Sequence, residues 1–153
     1  MKDDKIVQGA ILFFILVALP IVTGASGCQQ ERPNLSLSWS KSGGIMGLLD
    51  YLEVDAAGNA DYTSNFYGEF HIKLSIEEHN ELADLLGNNN FFDLSQDSFP
   101  PCEGCADFFS YFLNATLDGS NKAVSWFDPW ANNDIPDELH AIQAGIESFI
   151  NRY

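Results

Sequence analysis

The stretch from Phe108 to Leu117, FFSYFLNATL, constrains this chain more than any other. Phe109, Tyr111, Leu113, Ala115 and Leu117 recur at every second position, so an extended strand carries them all on one face. Asp118-Gly119 follows, a pair suited to a two-residue hairpin turn, and Ala123 to Phe127 supplies the returning strand with Val124 and Trp126. Such a hairpin requires further strands beside it and a layer to cover its apolar face.

The rest of the chain supplies both. Residues 35 to 40, LSLSWS, alternate strictly, with Leu35, Leu37 and Trp39 on one face, and Ser42-Gly43-Gly44 reads as the break that ends the strand. Leu48 to Val54 is a second strand whose register stays open. Either Leu48, Leu52 and Val54 face inward, or Leu49, Tyr51 and Glu53 do. Asp55 to Asn59 reads as a hairpin turn, and a third strand returns through Tyr62. Phe70 to Leu74 alternates again, with Phe70, Ile72 and Leu74 inward and His71 and Lys73 outward.

Ser75 with Glu78 three positions on has the capping-box spacing, and opens a helix. Its apolar side is Ile76, His79, Leu82, Ala83, Leu85 and Leu86, and Asn88-Asn89-Asn90 ends it. Phe91 to Leu94 is expected to pack back on the sheet. A final helix, Ile135 to Ile150, has Pro136 in its first turn and an apolar side of Leu139, Ile142, Ile146 and Ile150. The order β-β-β-β-α-β-β-α predicts an α+β domain. Its antiparallel sheet has about five to six strands, with both helices packed on one face.

The N-terminus predicts where this domain resides. Gly9 to Val22 is an uninterrupted run of small or apolar residues, shorter than a membrane-crossing helix and suited to the apolar region of an export signal. Lys2 and Lys5 are offset by Asp3 and Asp4, which is unusual for such a signal. Ala25-Ser26-Gly27-Cys28 resembles a lipoprotein processing site, with Ala25 where an aliphatic residue is usual. Cleavage would make Cys28 the lipidated first residue; an uncleaved anchor and simple secretion are the alternatives. The expected organisation is a signal over residues 1–27, a polar tether over 28–34 and a single domain over 35–153. That places the protein outside the cytoplasm, anchored to the cell membrane by lipid or by the uncleaved segment. The odd cysteine count is then resolved, since Cys102 and Cys105 remain as a pair able to form a local disulfide.

Charge excludes one class of partner. The chain carries 22 acidic and 7 basic residues, a formal charge of −15. Residues 1–27 hold two of each sign, so processing leaves that charge unchanged. Such a surface repels phosphate backbones and excludes nucleic acid as a partner. It equally disfavours electrostatic contact with an anionic membrane, so attachment falls to the N-terminus. The dispersed acids read as a solvated face.

Catalytic and metal signatures are sparse. His71, His79 and His140 have no metal-ligand neighbours at useful spacing. Cys102-Glu-Gly-Cys105 has CxxC spacing, but it precedes a strand pattern without the helix start that activates a redox thiol, and two further zinc ligands are missing. Asp55, Asn59 and Asp61 fit a hairpin better than a calcium loop. No nucleophile elbow or phosphate loop occurs. The expectation is a non-enzymatic protein without metal or cofactor. Asn34-Leu-Ser36 and Asn114-Ala-Thr116 are sequons, candidate glycosylation sites on an exported protein.

What remains is Ser42-Gly43-Gly44-Ile45-Met46, a glycine pair followed by two large apolar residues, read as a candidate binding loop. Together with Gly47, Leu52 to Asp55, Leu74 to Glu78, Phe91 to Leu94 and the Asp107 to Leu117 strand, it resembles the emfourin family across residues 35 to 150. The named member of that family inhibits a thermolysin-like metalloprotease. This chain has Ile45-Met46 where an aromatic-Ala pair is common, and adds the anchor and the Cys102–Cys105 pair. The resemblance implies an exported binding protein that inhibits a secreted or surface metalloprotease by inserting the glycine loop into its cleft. The competing expectation is an envelope lipoprotein, structural or ligand-binding, with no protease target.

Overall fold

The computed structural model describes residues 31–128, 131 and 134–153; the N-terminal run and Cys28 lie outside the described residues. Six strands form one sheet: β1 (Leu35–Gly43), β2 (Leu48–Val54), β3 (Asn59–Ser64), β4 (Gly68–Lys73), β5 (Phe109–Leu117) and β6 (Ser120–Phe127). Their spatial order is β4-β3-β2-β1-β5-β6, with every neighbouring pair antiparallel. Helices α1 (Ile76–Asn88) and α2 (Asp137–Ile150) complete the predicted α+β order.

Alternation decides which face the helices cover. Trp39 stands opposite Leu52 on one side and Leu113 on the other, Leu52 opposite Tyr62, Tyr62 opposite Phe70, and Leu113 opposite Val124. That row crosses all six strands. It packs beneath His79, Leu82, Ala83 and Leu86 of α1 and Leu139, Ile142, Ile146 and Phe149 of α2, all buried. Each large side chain so covered stabilises the fold by roughly 1.5–3 kcal/mol against leaving it in water. The two helices approach closely at Gly145, where a Cβ would stand 2.6 Å from the Leu85 methyl groups. The side chain's absence, not backbone freedom, is what that contact needs.

Two sequence expectations change in detail and one open choice is settled. β1 runs on to Gly43 instead of breaking at Ser42, because Ser42 and Gly43 pair with both β2 and β5. β2 takes the register of Leu48, Leu52 and Val54, which also turns Asp50 inward. Helix α2 starts at Asp137, not Ile135: Pro136 is its N-cap with extended backbone, and Ile135 is buried in the approach to the helix. Phe149 consequently fills the core position, while Ile150 is half-buried.

The sheet edges are protected in two ways. Beside β6, Ser98 bridges to Ser125, and the Lys122 ammonium donates to the Leu94 carbonyl at 2.9 Å and the Asp97 carboxylate at 2.7 Å. Edge strand β4 instead presents Glu69, His71 and Lys73 outward, charges that discourage pairing with another chain. The Phe91–Asp93 segment forms a 3-10 turn with Phe91 buried in the core, as the pattern predicts.

Candidate binding surface

The β1–β2 turn, the β3–β4 turn and the segment leading into β5 meet at one end of the sheet, because antiparallel pairing returns each chain there. The turn from Gly44 to Gly47 is closed by the Gly47 amide donating to the Gly44 carbonyl at 3.0 Å. Asn65, in the neighbouring turn, clamps it from one side. Its Oδ1 accepts from the Leu49 amide and its Nδ2 donates to the Gly47 carbonyl, both at 2.9 Å. From the other side the Gly44 amide donates to the Phe108 carbonyl at 3.1 Å.

The five residues read as one loop are therefore divided. Ser42 lies in β1 and shares a hydroxyl hydrogen bond of 2.9 Å with Ser110 of β5. Gly43 is the last strand residue, and Gly44 is half-buried beneath the turn. Only Ile45 and Met46 project, at 86% and 76% exposure. Leu49, Phe66 and Tyr67 are exposed at the same end, so two apolar tips stand among other uncovered apolar side chains on a backbone held by reciprocal hydrogen bonds.

Among the described residues, no helix or strand covers the sheet face opposite the helices. Ser36, Ser38, Ser40 and Ser42 line its central strand, with Tyr51 and Phe112 exposed on either side of Ser40. Asn114 lies on this face, in mid-strand, and its Oδ1 accepts from Asn121 at 3.2 Å. Asn34 is exposed just before β1. Cys28, the candidate lipidation site, is outside the described residues.

Cys102 and Cys105 are joined by a disulfide, with Cα atoms 5.5 Å apart. The Cys105 amide donates to the Cys102 carbonyl at 3.2 Å, so the bridge closes a single turn. That turn precedes β5 and lies away from a helix start, the setting of a pinned loop. Asp128 secures the same end from within: its Oδ2 accepts from the Phe109 amide at 2.7 Å and its Oδ1 from the Tyr111 hydroxyl at 3.1 Å. Burial, reinforced by that carboxylate, raises the Tyr111 phenol far above its ordinary range, so it acts as a permanent donor. Sequence reasoning passed over Asn65 and Asp128. Each is a polar residue just past a strand, and only the meeting of distant turns assigns it a partner.

Asp55 serves its own hairpin, as expected, with Oδ1 accepting from the Asn59 amide at 2.8 Å; that bond holds its carboxyl below the usual range. Among the described residues no group of three or more His, Cys, Asp or Glu side chains is placed to hold a metal ion. No described helix is long and apolar enough to cross a membrane. No protein-family model matches the chain, and no curated protein is significantly similar to it in sequence. The likeness to emfourins rests on the short motifs named above.

Proposed function

We propose that this chain is an exported binding protein, lipid-anchored through Cys28, which presents Ile45 and Met46 to the cleft of a protein partner. One observation carries the reading: two large apolar side chains, 86% and 76% exposed, stand on a turn clamped from both sides. Uncovered apolar groups of this size mark recognition surfaces. A backbone already held in its bound shape loses little entropy on docking. In its most concrete form the partner is a thermolysin-like metalloprotease, inhibited by occlusion of its cleft, and the chain itself performs no catalysis.

The test is to titrate the full-length protein into a panel of thermolysin-like metalloproteases at a fixed peptide concentration. Stoichiometric loss of activity with the added chain left uncleaved is the expected result. Replacing Ile45→Ser together with Met46→Ser alters only exposed side chains, so the fold should persist while inhibition weakens at least a hundredfold, about 3 kcal/mol. Full inhibition by the double variant would move the interface off the turn. No inhibition by the wild-type chain across the panel would remove the protease from the reading.

A further inference from the structure

Strand β2 contains a departure from its own pattern. Its inward positions are Leu48, Asp50, Leu52 and Val54, so an acid stands where alternation calls for an apolar residue. Asp50 is only 6% exposed; its Oδ1 has no hydrogen-bond partner, and the Tyr62 hydroxyl is the side chain that reaches its carboxyl. Lys41 is its cross-strand neighbour, yet the Lys41 ammonium is turned to Glu147 at 2.9 Å and lies 4.8 Å from the centre of the Phe109 ring. A buried carboxyl oxygen left without a partner is costly, and such local violations concentrate at binding sites.

Asp50 lines a cavity of about 400 Å³ between the sheet and the end of α2. One wall is aromatic and continuous: Tyr62 stacks on Phe70 at 5.1 Å, and Phe70 meets Tyr153 at 5.2 Å. Tyr67 and Glu69 stand at the exposed rim. Of the charged groups lining the space, Lys41 pairs with Glu147, and neither Asp50 nor Glu69 shares a salt bridge among the described residues. Ring faces and a carboxyl oxygen without a partner attract the same thing, a positive charge on an apolar stem. The volume exceeds the roughly 30 Å³ share of one water molecule many times over.

We propose that this cavity binds a single organic cation, an alkylammonium or guanidinium group, with Asp50 as its counter-charge and the Tyr62–Phe70–Tyr153 wall around its stem. The cation is either a free amine or a Lys or Arg side chain of a protein partner. The cavity borders the recognition end at Tyr67 but does not include Ile45 or Met46, and the proposal stands or falls independently of any protease target.

The experiment is calorimetric titration of the full-length protein at low salt with n-butylammonium, agmatine, a lysine-containing tripeptide and, as the uncharged control, n-butanol. One cation per chain should bind saturably, n-butanol at least tenfold more weakly. Asp50→Asn should reduce cation affinity at least tenfold without lowering the melting temperature, since the amide keeps the side chain's shape and Oδ1 has no partner to lose. Glu69→Gln and Tyr67→Ala alter the exposed rim, and should each weaken binding severalfold even if Asp50→Asn fails to fold. Tighter binding of agmatine than of the tripeptide assigns a free ligand, and the reverse assigns a partner's side chain. The proposal is overturned by an absence of saturable binding or by equal affinity for n-butanol. Unchanged affinity in both Asp50→Asn and Glu69→Gln would overturn it too, and any of these results would leave Asp50 facing water or Lys41.

Discussion

Gly43 shows what one residue carries at the recognition end. Its φ is 122°, and a Cβ there would stand 2.4 Å from the Phe108 carbonyl oxygen. Backbone strain and that clash act together, and the clash is with main chain that cannot swing aside. Gly43→Ala should cost about 2–3 kcal/mol, read as a lower urea midpoint with an unchanged slope. A smaller loss would mean that β5 yields at Phe108. His79 makes a different point. It is fully buried, its Nε2 lies 3.2 Å from the Leu35 carbonyl, and its Nδ1 has no partner. Since a carbonyl only accepts, the proton resides on Nε2 in the neutral ring.

Burial, followed by the nearby Arg32 cation, holds the His79 ring below its ordinary value. The unfolded chain takes up a proton near pH 6.5, and the folded chain takes it up only at lower pH. The stability His79 contributes is therefore complete above about pH 6.5 and falls as pH drops below it, with a slope approaching 1.4 kcal/mol per pH unit at most. Exposed His71, paired with Asp61 at 2.6 Å, is shifted upward and contributes with the opposite sign as pH rises above that value. Urea titrations of the wild type and His79→Gln between pH 5 and 7 separate the two. The variant should lose the decline below pH 6.5, and an unaltered decline would assign it to other groups.

At the scale of elements, caps and turns explain which boundaries were readable. Ser75 Oγ accepts from the Glu78 amide at 3.1 Å, and Glu78 Oε2 accepts from the Ser75 amide at 2.8 Å. Ser75→Ala should therefore cost about 1 kcal/mol, seen as a lower thermal midpoint, and a loss below a few tenths would show that sheet packing alone holds the start of α1. The start of α2 has no such signature: Pro136 has no side-chain oxygen to cap it, and buried Ile135 looks helical in the pattern without being so. Asp118 and Gly119, both at positive φ, turn β5 into β6 as their sequence predicts. The end of β1 was obscured because Lys41, Ser42 and Gly43 are polar or small, yet they pair on both sides.

For the molecule as a whole, the net charge of −15 is borne by a chain of 153 residues. Mutual repulsion opposes the compact state and is screened by salt. Raising ionic strength from 10 mM to 0.5 M sodium chloride should lift the melting temperature by about 3–5 °C, roughly 1 kcal/mol for a chain of this size. Circular dichroism melts measure it. A flat response would mean that local pairs such as Lys41–Glu147 and Lys122–Asp97 already compensate the field.

Periodicity, turn residues and a capping box are local properties. They were enough to determine the six strands, two helices and their order, because each is written within a few neighbouring residues. The inward faces of β1, β4 and β5 followed from the same alternation. The disulfide needed only three residues' separation and a plausible compartment. Other features depended on contacts between residues distant in sequence. Asp50 became inward only when β2 paired with β1, and Asn65 became a clamp only when two turns met. The candidate loop was legible as a glycine pair with apolar neighbours. That Ile45 and Met46 alone project, while Ser42 and Gly43 belong to the sheet, was decided by strand pairing, which spends backbone hydrogen bonds wherever a neighbour is within reach.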